Sequence, residues 1–174
     1  PNDPDIGRQY GLSHIRAQDA WDITKGSSNI RIAIIDTGID QFHPDLSAKY
    51  AGGYDFVNSD GLPEDAVGHG THVAGIAAAT TGNGIGIAGV AWNPTIMAYR
   101  ACHTGCTQEA LTNAVLRAAN DPNVWVINMS LGNPRYAKGY LDVAISTAIN
   151  KGITVIAGSG NDGTDETNYP AGLQ

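Results

Sequence analysis

The sequence predicts an α/β fold, a three-layer arrangement in which a parallel β-sheet carries helices on both faces, and two observations lead there. Five short β-branched runs are apolar at most positions instead of alternating, which is the pattern of strands covered on both sides. They are IRIAIID (Ile30 to Asp36), GGYDFV (Gly52 to Val57), TIMAYRA (Thr95 to Ala101), VWVINMS (Val124 to Ser130) and ITVIAG (Ile153 to Gly158). Helical patterns fall between them, and strands alternating with helices build parallel sheets.

Each helical pattern has its own signals. HGTHVAGIAAAT, from His69, is rich in small side chains that allow close packing. TQEALTNAVLRAAND opens on Thr107, an N-cap residue, with Glu109 in the first turn and Ala110 at the third helical position. GYLDVAISTAINKG closes on Lys151 and Gly152, a cation followed by a C-terminal glycine. No repeat and no Pro/Gly/Ser linker divides the 174 residues, so one domain over residues 1–174 is expected.

Composition narrows the function. With 42% apolar and 16% charged residues, the chain has the make-up of a globular protein. A net charge of −7 and the lack of any Lys/Arg cluster argue against a nucleic-acid partner. Apolar runs of only a few residues argue against a membrane span. Pro1 is not an initiator methionine, so an upstream segment is expected to have been removed. Cys102 and Cys106 suit a short disulfide if the protein is exported, and two thiols if it is not.

Ligand sites in parallel α/β sheets lie outside the carboxyl ends of the strands. Asp36 ends the first strand, Ser130 follows the fourth and Asn161 lies just past the fifth, so all three should share one edge. His69, opening a helix, can reach the same edge. Asp36-Thr37-Gly38 alone also fits an aspartic protease, but those are nearly all-β and this chain carries long helical patterns. In GHGTHVAGIAAA, Gly68 and Gly70 let the backbone turn sharply and leave the imidazole of His69 uncovered. His69 and His72 are spaced as zinc ligands can be, yet no third ligand follows, and His72 reads as a satisfied core histidine. GIGIAG (Gly84 to Gly89) matches a dinucleotide fingerprint, but it follows a helix and leads to a strand, the reverse of the required context.

Taken in order, IAIIDTGID, HPDL, GHGTHVAGIAAA, VINMSLGNP and IAGSGNDG resemble the subtilisin-like serine proteases. PNDP, RQYGL, AWDITKG and GGYDFV resemble the thermitase-like branch of that family, and the likeness runs from Asn2 to about Pro170. The resemblance implies a secreted, calcium-stabilised serine endopeptidase acting on polypeptides. Asp36 would orient His69, His69 would act as general base and acid, and Asn161 would donate to the oxyanion. Ser130, Leu131 and Gly132 would pair with an extended substrate, and Gly158 and Gly160 would floor the pocket for the residue before the scissile bond. The Cys102 to Cys106 segment would form the opposing edge of the cleft, stiffened by a disulfide.

For calcium, the resemblance implies a first site from the side chains of Asp3, Asp45 and Asn83 with the carbonyls of Thr80, Ile85 and Ile87. A second site would use Asp55, Asp60 and Glu64 with Asn58 and the Leu62 carbonyl; a solvated acidic turn is the rival reading there. One part of the family pattern is missing. No Gly-Thr-Ser occurs, and Ser159, two positions from Asn161, lies in the wrong element for a nucleophile. The chain is therefore expected to be the N-terminal portion of a peptidase domain, inactive alone, with part of the sheet and the nucleophilic serine in a C-terminal remainder. The alternative is a non-catalytic peptide- or calcium-binding fragment.

Overall fold

A computed structural model describes residues 1–133 and 139–173. Along the chain these form a 3-10 turn (Ile6–Arg8), α1 (Tyr10–His14), α2 (Ala17–Ile23), β1 (Arg31–Asp36), β2 (Tyr50–Asp55), α3 (His69–Ala78), β3 (Thr95–Arg100), α4 (Gln108–Ala119), β4 (Val124–Met129), α5 (Tyr140–Asn150) and β5 (Thr154–Ala157). The strands pair in parallel in the order β2-β3-β1-β4-β5. β1 is thus central, with β3 on one side and β4 on the other.

Successive side chains of β1 point to opposite faces, and each face has its own cover. Ala33 and Ile35 join Leu111, Val115 and Ala118 of α4 and Leu141, Ala144 and Ile145 of α5 in one core. Ile32 and Ile34 join Ala74 and Ala78 of α3 in the other. Three layers follow because β1 is apolar on both faces, and burying each such large aliphatic side chain stabilises by about 1.5–3 kcal/mol.

Local signals hold where they are strong. Thr107 Oγ1 accepts from the Ala110 N–H at 3.1 Å, so α4 starts where its cap predicts. Lys151 donates its ammonium to the Ala119 carbonyl (3.0 Å) and Asn120 Oδ1 (2.7 Å), tying the end of α5 to the end of α4. Three expectations need correction. β2 begins at Tyr50 and stops at Asp55, because the Asp55 carboxylate folds back onto the N–H groups of Val57 and Asn58. β5 is not covered on both faces: Thr154 and Ile156 are exposed because this strand lies at the sheet edge, with β4 as its neighbour. His72 is exposed on α3, not a core histidine.

The helices α1 and α2 carry no strong periodic pattern and arise from tertiary contacts. Trp21 donates its indole N–H to the Val90 carbonyl (2.9 Å) and packs edge-on against Trp92, with centroids 5.2 Å apart. Gln9 pairs with both backbone groups of Ala88, fixing the N-terminal arm to the loop after α3.

Candidate active site

Asp36 is the last residue of β1 and is 2% exposed. Its Oδ1 accepts from its neighbour's amide, Thr37 N, at 2.7 Å, and stands 2.6 Å from His69 Nδ1. The His69 side chain is 51% exposed, so a buried carboxylate grips one nitrogen of a ring that otherwise faces solvent. Gly70 makes the approach possible. A Cβ on Gly70 would lie 2.2 Å from the Gly38 carbonyl oxygen and 3.2 Å from Asp36 Cβ, so only glycine lets the start of α3 rest on the loop after β1.

The carboxyl edge of the sheet collects several other candidates. Ile34, Asn128 and Ile156 share one rung of β1, β4 and β5, and counting on along each strand brings Asp36, Ser130 and Gly158 level. Ser130 Oγ accepts from Asn128 Nδ2 at 2.9 Å. Gly158 lies against the backbone of Ser130 and Leu131, and Gly132 approaches the Gly158 carbonyl. The segments Ser130–Gly132 and Gly158–Gly160 are therefore side by side. Asn161 is exposed in the loop beyond β5.

Two further residues have little signal in the sequence. Asn168 donates to the Ser159 carbonyl at 3.0 Å and abuts Gly160. The antiparallel exchange between Asn133 and Tyr169 (2.9 and 3.2 Å) brings it there, a long-range pairing with no local signature. The other is Asp65, whose only sequence signal is an acid four positions before His69. On the opposite side of Asp36, its carbonyl accepts from Ala101 N (2.9 Å) and Cys102 N (3.2 Å), and Cys102 is bonded to Cys106 in a tight disulfide loop.

Hydrogen bonds link several residues of the first expected cation set. Asp3 and Asp45 are buried, at 2% and 3% exposure, and no ion pair among the described residues includes either. Both oxygens of Asp3 accept from Gly82 N at 2.9 Å. Asp45 accepts from Asn83 Nδ2 (2.7 Å) and Ile87 N (3.0 Å), and Asn83 Oδ1 accepts from Ile85 N. Thr80 donates its N–H to the Asp45 carbonyl, and its hydroxyl is buried without a partner. A Cβ on Gly86 would lie 2.4 Å from Asp45 Oδ2, so glycine is needed for the loop to close on that carboxylate. Burying two carboxylates without a counter-charge costs several kcal/mol each. A divalent cation held by oxygens would offset it. Among the described residues no group of three or more His, Cys, Asp or Glu side chains stands together, so amide and carbonyl oxygens would complete the shell.

In the second expected set one acid has an arginine partner. Asp55 is fully buried; its Oδ2 pairs with Arg100 Nη1 at 2.7 Å, and its Oδ1 accepts from Val57 N and Asn58 N. Asp60 exchanges backbone hydrogen bonds with Asp55 and caps Leu62 N, while Asn58, Asp60, Leu62 and Glu64 are exposed. The one buried carboxylate here is already neutralised by an arginine.

The model of the subtilase family matches residues 27–174. The chain is 48% identical over 174 residues to thermitase of Thermoactinomyces vulgaris, covering 98% of this chain and 61% of that protein. It is 47% identical over 177 residues to a thermophilic serine proteinase of Bacillus sp. (strain AK1), covering 100% of this chain and 44% of that protein. Among solved structures, one of the proteases from Pseudoalteromonas arctica PAMC 21717 superposes with a TM-score of 0.88 at 29% identity, over 98% of this chain and 62% of its own. The chain thus spans less than two thirds of the length of these relatives. It belongs to the subtilase family, in its thermitase-like branch.

Proposed function

We propose that this chain supplies the acid–base half of a calcium-stabilised serine endopeptidase. The observation that carries the reading is the 2.6 Å contact between buried Asp36 and half-exposed His69. Asp36 holds the proton on Nδ1, which leaves Nε2 as the basic nitrogen. His69 then takes the proton of a serine hydroxyl and returns it to the leaving amine, while Asp36 stabilises the imidazolium between the two steps. The serine is assigned to sequence beyond residue 174, consistent with the share of each relative that the chain covers.

Asn161 is assigned as a donor to the tetrahedral oxyanion. The Ser130–Gly132 backbone is assigned to strand addition with the substrate, beside Gly158 and Gly160. The C-terminal remainder of the protease is the proposed partner of the β5 edge, where Ile156 is 51% exposed. Calcium is assigned to the Asp3 and Asp45 site, with Thr80, Asn83, Ile85 and Ile87, where it neutralises buried carboxylates and fastens the N-terminal arm to the loop after α3. An extracellular setting suits both the disulfide and the ion.

The test is an active-serine fluorophosphonate probe applied to the complete protein, with peptide hydrolysis measured alongside. Labelling and turnover that both collapse in His69→Ala support the reading. Full turnover in that variant sinks it.

A further inference from the structure

Asp65 is the best-connected carboxylate among the described residues, and no step of the proposed chemistry uses it. Its Oδ1 accepts from the Thr37 hydroxyl (2.8 Å), Gly68 N (2.8 Å) and Val67 N (3.0 Å). Its Oδ2 accepts from Thr71 N (2.9 Å) and the Thr71 hydroxyl (2.7 Å). Two of these partners pass the connection on: Thr37 Oγ1 accepts from Gly70 N, and Thr71 Oγ1 accepts from Asp40 N, both at 2.9 Å. Thr37 follows Asp36 directly, and Gly68, Gly70 and Thr71 flank His69.

The geometry points to Asp65 as a positioning residue that locks the strand bearing Asp36 to the helix start bearing His69. This rests on the reading of Asp36 and His69 as a catalytic pair. Without Asp65, what fastens these two elements is the Asp36–His69 contact itself, the Gly70 N–H on Thr37, the Asp40 N–H on Thr71, and the packing of α3 on β1. An imidazole half open to solvent has few other restraints on its tilt, and a displacement of about 1 Å at a catalytic group costs roughly 100-fold in rate. Partial burial opposes charge on Asp65, but the bonds from Gly68, Thr71 and Thr37 outweigh it and hold the carboxyl down to about 2. It is therefore a permanent anion able to polarise all five donors at neutral pH.

The experiment compares Asp65→Asn, Thr37→Val and Thr37→Ser in the complete protein. It reads kcat and KM on a chromogenic peptide p-nitroanilide, and the low-field proton resonance of His69 Nδ1, which needs no substrate. We expect Asp65→Asn and Thr37→Val to lower kcat by roughly 10- to 100-fold with KM changed less than about twofold. The resonance should shift or broaden in both, and Thr37→Ser, which keeps the hydroxyl, should behave as the parent. Thr37→Val decides the matter if Asp65→Asn does not fold. Unchanged kcat and an unmoved resonance, with turnover still abolished by Asp36→Asn, overturn the role of Asp65 alone. Turnover that survives Asp36→Asn overturns the pair itself, and the positioning role with it.

Discussion

His69 Nδ1 stands 2.6 Å from Asp36 Oδ1 across 33 residues of sequence. Asp36→Asn keeps the shape but can donate its amide to the ring, favouring the wrong tautomer. If the pair is catalytic, turnover of the complete protein should fall by roughly 10⁴-fold with little change in KM, the size of the same change in a known Ser-His-Asp triad. Peptide kinetics on the folded variant check this.

Adding one methyl at Gly70 should matter more than its size suggests. An alanine at an ordinary helix position is about 1 kcal/mol better than glycine. Here its Cβ would meet the Gly38 oxygen at 2.2 Å, and backbone cannot rotate aside. Gly70→Ala should therefore destabilise by about 1–3 kcal/mol and lower kcat as α3 is pushed from β1. Denaturant melts beside peptide kinetics measure both effects.

Chelation should strike the Asp3 and Asp45 site. An ion present at about 100 times its Kd adds roughly 2.7 kcal/mol, so EGTA should lower Tm by several degrees. Asp45→Asn should shrink that EGTA-dependent shift, because it removes one of the two buried carboxylates. A Tm identical with and without EGTA would exclude a stabilising ion there.

Asp55 and Arg100 make the contrasting case. Both are buried and 2.7 Å apart, so the arginine is a counter-charge for the carboxylate. Arg100→Leu should destabilise by about 3–5 kcal/mol, since it strands a buried charge. Its EGTA-dependent shift should match the parent's, as the loss lies outside the Asp3 and Asp45 site. Calorimetry with and without chelator separates the two.

Acid should reveal the anchoring by Asp65. Its folded value is lowered from the ordinary 3.8 to about 2, because the donors around it outweigh its burial. A lowered carboxylate contributes stability that is complete above its unfolded value and is lost as pH falls through the folded one. The Tm difference between parent and Asp65→Asn should be full at neutral pH and shrink between about pH 4 and 2. A difference constant over that range would contradict this.

Much of the architecture was legible in short stretches of chain. Runs of β-branched residues marked the five strands to within a few residues, and Thr107 marked the start of α4, because strand propensity and capping act over a few residues. Asp36 was legible as the polar end of an apolar run, while a use for it depended on residues elsewhere in the chain. Folding settled the rest, because it rests on pairings between distant segments. The order β2-β3-β1-β4-β5 left β5 at an edge and so half exposed. Arg100 took up Asp55 across 45 residues, which no local pattern announces. Asp65 looked like one acid in an acidic loop until Thr37, 28 residues earlier, turned its hydroxyl toward it. Backbone preference is local and can be read residue by residue. The choice of partner for a buried charge depends on which surfaces close over it, and that exists only once the chain is packed.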